Sequence, residues 1–297
     1  MNELHTIRDF IRWAVSKFNE ANLYYGHGTT TAIDEAFALI LNTIHLPHEI
    51  TQDMLSANLT KNEKDSLVNV IKKRIEKRLP VPYITNEAWF AGDSYYVDQR
   101  VLIPRSPIAE LIQNEFQPWI NTPVENILDL CTGSGCIAIS CAKAFDEAVV
   151  DAVDISKDAL DVAKINIIRH NIDDKVNTFQ SDLFNELPLK KYDLIISNPP
   201  YVDAEDMGSL PSEFLHEPAL ALAAGDDGLT IVLRILKDAK KYLKPNGTLI
   251  VEVGNSESAL TKKLSKTAFT WIDFENCDGG VFLLTHDQLN HLPDINI

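Results

Sequence analysis

Asn126-Ile127-Leu128-Asp129-Leu130-Cys131-Thr132-Gly133-Ser134-Gly135-Cys136 reads as a buried strand that breaks into a glycine turn, with a helix over Ile137–Phe145 behind it. Glycines at that point let backbone approach a ligand closely, and the helix N-terminus offers unpaired N–H groups. A strand, a tight turn and a helix make the first βα unit of an open sheet, whose ligands bind at the carboxyl ends of the strands. The third glycine of a dinucleotide fingerprint is missing, because Cys136-Ile137-Ala138 follows, which argues against a dehydrogenase.

Further strands are expected at Ala148–Asp154, Val176–Gln180, Tyr192–Ser197, Thr248–Val253, Phe269–Phe274 and Gly280–Leu284, mostly separated by helical stretches. The pattern predicts an α/β fold with a mostly parallel, doubly wound sheet. Upstream, Leu4, Ile7, Phe10, Ile11, Ala14, Val15 and Phe18 make a helical stripe, and Ala32–Leu46 is a second helix stopped by Pro47. A third helix is expected around Ile50–Leu59. A fourth runs from the capping box Thr60-Lys61-Asn62-Glu63 to about Arg78. After Pro80-Val81-Pro82, the runs Tyr83–Phe90 and Tyr95–Val101 around Ala91-Gly92-Asp93-Ser94 predict a β-hairpin. The expected organisation is a helical domain over 1–79, a hairpin linker over 80–104 and a catalytic domain over 105–297.

Charge is distributed unevenly. The first 85 of the 297 residues hold ten basic and ten acidic side chains, so the remainder carries the whole net charge of −16. An acidic catalytic half repels phosphate backbones and attracts basic partners. The basic cluster Lys72, Lys73, Arg74, Lys77, Arg78 reads as a solvated helix face or a contact for nucleic acid or an acidic partner. Cys131, Cys136, Cys141 and Cys277 match no metal or disulfide spacing and read as small buried hydrophobes. The His45/His48 pair is weak as a metal site. The first residues lack a signal-peptide pattern and no apolar run is long enough to span a bilayer, so the expected compartment is the cytoplasm.

Carboxylates recur at the ends of successive strands. Asp129 suits a cationic or amino-bearing ligand better than a pyrophosphate. Asp154, 19 residues after Gly135, can accept bonds from ribose hydroxyls, and Asp182 can bind an adenine amino group. Each alone could be a helix cap or turn former. Together with the glycine turn they describe a ligand such as S-adenosylmethionine, which carries a sulfonium, an ammonium and no phosphate. The fourth strand delivers Ser197-Asn198-Pro199-Pro200-Tyr201. Two prolines end the strand and leave carbonyls free to face a ligand. An Asn side chain, those carbonyls and a Tyr ring form a socket for a planar amide or exocyclic amine.

Asp129-Leu130-Cys131-Thr132-Gly133-Ser134-Gly135 with Asn198-Pro199-Pro200-Tyr201 resembles the protein-glutamine N5-methyltransferases that modify the translation apparatus, and the resemblance covers nearly the whole chain. Val101-Leu102-Ile103-Pro104-Arg105 resembles the family's entry into its catalytic domain, and Glu217-Pro218-Ala219-Leu220-Ala221-Leu222 a segment near its site. Ser106-Pro107-Ile108-Ala109-Glu110, Thr6-Ile7-Arg8-Asp9, Phe18-Asn19-Glu20-Ala21, Tyr25-Gly26-His27-Gly28 and Thr85-Asn86-Glu87-Ala88-Trp89-Phe90-Ala91-Gly92 look like the branch acting on a large-subunit ribosomal protein. The branch acting on peptide release factors usually has an acidic-Thr-Glu segment after the arginine. Cys131 departs from the glycine of many relatives.

The resemblance implies a class I, Rossmann-like methyltransferase with a seven-stranded sheet. Its cofactor would be S-adenosyl-L-methionine, with no metal, and its partner a basic large-subunit ribosomal protein recognised by the helical domain. Nucleic acid would be contacted only indirectly, and no membrane is implied. The implied cofactor contacts are Asp129, Thr132, Gly133, Ser134, Gly135, Asp154, Ile155, Asp182, Leu183 and Asn198. The implied catalytic residues are Asn198, Pro199, Pro200 and Tyr201: the Asn198 side-chain oxygen and the Pro199 carbonyl accept the amide protons, and Tyr201 packs on the flat amide. The acidic residues Asp203, Glu205, Asp206, Glu213, Glu217, Asp226 and Asp227 read as a rim that draws a basic substrate. A methyltransferase for adenine or cytosine in nucleic acid would use the same tetrapeptide but needs a basic groove. A non-catalytic ribosome-assembly binder would not need an intact Asn198 and glycine turn.

Overall fold

A computed structural model describes residues 3–274 and 280–295 of the chain, so Cys277 lies outside the described residues. Helices α1 (Ile7–Glu20), α2 (Ala32–Thr43), α3 (Gln52–Leu55) and α4 (Lys61–Lys77) come first. Thr6, Thr31, Thr51 and Thr60 cap them, each side chain accepting an N–H of the first turn, and Thr6 and Thr60 complete capping boxes with Asp9 and Glu63. Their apolar stripes, among them Phe10, Ala14, Phe18, Leu39, Leu67 and Ile71, close around one core. The third helix is one turn instead of the expected Ile50–Leu59. Residues beyond Ser56 leave it to pair with the entry to α1: Leu59 N–H donates to the His5 carbonyl, and Asn58 bridges Thr6.

The first residues of the expected strand Tyr83–Phe90 are helical, and only its last three form a strand. Pro82 sits in the first turn of α5 (Val81–Thr85), where a fixed φ and a missing N–H cost nothing. Only β1 (Ala88–Phe90) and β2 (Asp93–Tyr95) pair as a hairpin, shorter than the expected Tyr95–Val101 arm. Ala91 and Gly92 alone form its turn, both with positive φ, the backbone twist that a two-residue hairpin requires.

The remaining elements are α6 (Ile108–Gln113), β3 (Asn126–Leu130), α7 (Cys136–Ala144), β4 (Val149–Asp154), α8 (Lys157–His170), β5 (Val176–Gln180), β6 (Tyr192–Ser197), α9 (Ala204–Ser209), α10 (Thr230–Asp238), β7 (Leu243–Glu252), α11 (Glu257–Lys263), β8 (Thr270–Trp271), β9 (Val281–Thr285) and α12 (His286–Asn290). Seven of the strands form one sheet in the order β5-β4-β3-β6-β7-β9-β8, parallel except where β9 runs against β7 and β8. The expected strand Phe269–Phe274 contracts to the two residues of β8.

Alternation within the strands feeds two cores. Ile127, Leu194 and Ile196 face the helix layer containing α6 and α7, whereas Leu128, Leu130 and Ile195 face the layer containing α10. Strand β3 sits between β4 and β6, and the connections leaving β3 and β6 diverge to opposite faces of the sheet, which opens a crevice at the strand ends. No helix among the described residues is long and apolar enough to cross a membrane.

Candidate active site

The glycine turn is built on Asp129, which is fully buried near the end of β3. Its Oδ2 accepts from the Thr132 hydroxyl at 2.5 Å and from the Ala138 N–H at 3.1 Å, so the carboxylate ties down the first turn of α7. Its Oδ1 is buried without any partner. Burial pushes the carboxyl up to about 7 against the pull of those two hydrogen bonds. An orphaned carboxylate oxygen in a dry site fits the ammonium of S-adenosylmethionine, which would hold the group ionised.

Cys131, Gly133 and Gly135 all have positive φ. A side chain at Gly133 would meet nothing within 4 Å, so that backbone faces the cleft. At Gly135 an added Cβ would come within 3.1 Å of Ala163 on α8, so the glycine permits the close packing of α7 on α8. Ser134 is buried, and its carbonyl accepts from the Asn166 amide at 2.9 Å.

Asp154, at the end of β4, accepts from Gly133 N–H and Ser156 N–H, both at 2.9 Å. Burial raises its carboxyl above the usual range. Ile155 beside it leaves 48% of its surface exposed, between Asp154 and Ser156, which line the cleft. Asp182 stands off the cleft wall: its Oδ2 accepts from Arg234 at 2.7 Å, and its N–H donates to Glu186. Leu183 is packed in the core instead of facing the crevice.

Across the crevice, Ser197 donates its hydroxyl to the Leu130 carbonyl at 2.8 Å, fixing the end of β6 against β3. Asn198 and Pro200 border a cleft together with Cys131, Gly133, Asp154 and Ser156, the concave form of a small-molecule site. Pro199 is buried at the strand end. Tyr201 donates its hydroxyl to Glu252 Oε1 at 3.1 Å, and Glu252 Oε2 accepts from Ser106. A Cβ at Gly254 would lie 2.5 Å from the Tyr201 ring, so the ring is held by contact as well as by hydrogen bonds. Sequence reasoning missed Glu252. Its signal is the one that marked Asp129, a carboxylate closing an apolar strand.

The opposite wall is formed by Arg100, Val101 and Leu102 on one side and by Pro218, Leu220 and Ala221 on the other, the latter within the 217–222 segment that the resemblance puts near the site. The last three belong to an excursion over 203–222. It is closed at its base by Val202 N–H to the Leu222 carbonyl and Ala224 N–H to the Val202 carbonyl, both 2.9 Å.

Two residues of the expected acidic rim are not on the surface. Glu213 and Glu217 have fully buried side chains, because each is claimed by arginines outside the excursion. Glu213 accepts from Tyr24 N–H at 3.0 Å and pairs with Arg74 and Arg78 at 3.4 and 3.0 Å. Glu217 takes a two-pronged contact from Arg105, at 2.6 and 2.8 Å, and the Ile103 N–H at 3.0 Å. The basic helix face is corrected by the same contacts. Arg74 is 1% exposed and bound to Glu35 at 2.8 Å, while Arg78 reaches across to the excursion.

The family description "Methyltransferase small domain" matches residues 110–232. The chain is 50% identical to the ribosomal protein uL3 glutamine methyltransferase of Francisella tularensis over 99% of its own length and 94% of that protein. It is 48% identical to the protein of the same description from Neisseria gonorrhoeae, over 97% of this chain and 96% of that one. Among solved structures, a methyltransferase from Pyrococcus furiosus aligns over 76% of this chain and 97% of its own, with 16% identity and a TM-score of 0.47.

Proposed function

The chain belongs to the ribosomal protein uL3 glutamine methyltransferases, enzymes dependent on S-adenosylmethionine, and on that premise we propose that it methylates a glutamine side-chain nitrogen of uL3 in the cytoplasm. The observation that carries this reading is the single cleft bordered by Asn198 and Pro200 on one side and by Gly133 and Asp154 on the other. That arrangement supports a socket for a carboxamide beside a site for a nucleoside.

S-adenosylmethionine supplies, when bound, an electrophilic methyl group on a sulfonium. Asp129 would hold its ammonium through the free Oδ1, Asp154 its ribose hydroxyls, and Ile155 the adenine face. The nucleophile is weak, because a carboxamide lone pair is delocalised into its carbonyl. The side-chain oxygen of Asn198 and the Pro199 carbonyl accept hydrogen bonds from the two amide N–H groups and aim the nitrogen at the methyl group, which lowers the entropic part of the barrier. Those bonds strengthen as positive charge grows on nitrogen, so they favour the transition state. Once the methyl group has transferred, the nitrogen sheds one of its protons to solvent. Tyr201, fixed through Glu252 and Gly254, packs on the flat amide.

Incubating the enzyme with methyl-labelled cofactor, uL3, release factor and RNA tests the reading. Label is expected on a glutamine of uL3. Label on a release factor or on nucleic acid, or none at all, overturns it.

Asp154→Ala is expected to raise the cofactor Kd tenfold or more, roughly the cost of lost hydrogen bonds to a charged group. An unaltered Kd by calorimetry would remove Asp154 from the ribose site. The part of the acidic rim that stays accessible should act on encounter. Neutralising it with Asp203→Asn, Glu205→Gln and Asp206→Asn should lower kcat/KM for uL3 several-fold at low salt and flatten its salt dependence. Unchanged rates across a salt titration would rule out steering.

A further inference from the structure

A second groove lies where α2, α5 and β1 meet, walled by Ala38, Val81, Pro82, Ala88, Ile103 and Pro104. At its edge stands Trp89, a large aromatic with 51% of its surface in solvent. The ring is not free to swing. Its indole N–H donates to His48 Nε2 at 3.1 Å, and the two rings meet edge-to-face at 5.3 Å. The one polar atom of the indole is thus satisfied from the helical domain while the ring stays open. That is the form of a preorganised anchor, which loses little freedom on binding.

We propose that this groove binds the stretch of uL3 adjoining the target glutamine, with Trp89 as its anchor; the inference rests on the uL3 reading and deepens it.

Continuity with the reactive cleft argues for this occupant. Val101 and Leu102 border the cleft, and the next residues, Ile103 and Pro104, border the groove. On the other flank His27 borders the groove and lies 3.5 Å from Glu217, whose neighbour Pro218 borders the cleft. One thin partition therefore separates the two openings. An acceptor chain advances about 3.3 Å per residue when extended, so a glutamine side chain in the cleft brings its near neighbours to the groove. The chemistry of the wall agrees: Glu87 at the groove is already paired with Arg169 at 3.2 Å, so the open indole face is left to receive an apolar side chain or a guanidinium of the acceptor.

Steady-state kinetics with intact uL3 and labelled cofactor test the proposal. Trp89→Ala should raise KM for uL3 at least tenfold, with kcat at saturating acceptor and the cofactor Kd within about twofold of wild type, as for the loss of an interface anchor. His48→Ala, which removes the acceptor that fixes the indole, should raise KM for uL3 several-fold with kcat unchanged, and His48→Gln, which restores an acceptor, should recover most of that loss. Trp119→Ala, an exposed tryptophan elsewhere, should have no effect. A photo-crosslinker at position 89 should join uL3 within about ten residues of the methylated glutamine. An unchanged KM, a crosslink far from that glutamine, or an altered oligomeric state of Trp89→Ala that would assign the groove to a second copy of this chain, each overturns it. Failure of the wild-type enzyme to label uL3 would instead overturn the acceptor assignment.

Discussion

Asn198→Ala should lower kcat by two decades or more while the cofactor Kd stays within a few-fold of wild type. The size follows from what the side chain does in the reaction. Loss of one preorganised partner for charge developing in a transition state costs roughly 10²- to 10³-fold in kcat. Asn198 borders the cleft beside Pro200, and its neighbour Ser197 is pinned to the Leu130 carbonyl, so truncation should leave the end of β6 in place. Asn198→Asp sharpens the test: it keeps an acceptor but adds a charge beside the sulfonium. Single-turnover kinetics with excess enzyme separate the methyl-transfer step from product release. A cofactor affinity that collapses in step with kcat would move Asn198 from the acceptor site to the cofactor site.

Glu217→Ala should destabilise the protein by about 3–5 kcal/mol, because it leaves the Arg105 guanidinium without its partner in a mostly buried setting. In a chain of this length that corresponds to roughly 10 °C in Tm, read by calorimetry. Burial alone would raise the Glu217 carboxyl, but the contacts with His27 and Arg105 outweigh it and hold the group down to about 2, from an ordinary value of 4.5. The folded value lies below the unfolded one. The stabilisation is therefore complete above about pH 4.5 and is lost as pH falls toward 2. The wild type should lose stability across that acid window more steeply than the variant. Parallel acid profiles for the two would contradict the pairing. Pro218 lines the cleft next door, so a raised KM for uL3 should accompany the loss.

What could be read from the chain beforehand depended on how local the chemistry is. The turn from Cys131 to Gly135 and the tetrapeptide from Asn198 to Tyr201 state their geometry within a few residues, through positive φ, missing N–H groups and apolar strands on their N-terminal side. The hairpin was misjudged because two opposing local signals met in Val81–Phe90. Aromatic and β-branched residues favoured a strand, whereas Pro82 at a helix N-terminus, with Asn86 left-handed at its end, favoured a turn of helix. Glu213 and Glu217 were misplaced on the surface for another reason. Their arginine partners Arg74 and Arg105 lie more than a hundred residues earlier, and no periodicity links them. The same distance hid Glu252, whose partners Ser106 and Tyr201 come from two other segments. Asp182 shows the converse limit: a carboxylate after a strand is easily found, but its pairing with Arg234 depends on where α10 docks.

The buried grip of Arg74 and Arg78 on Glu213 makes the N-terminal helices poor candidates for modular exchange. A chimera whose N-terminal helices lacked these arginines would strand the buried Glu213 carboxylate, and the arginines moved elsewhere would leave Arg78 without it while Arg74 kept Glu35. Recombination between relatives should therefore favour crossovers that carry both halves of the contact together, and a breakpoint inside the chain ought to survive only when Glu213 travels with its arginines.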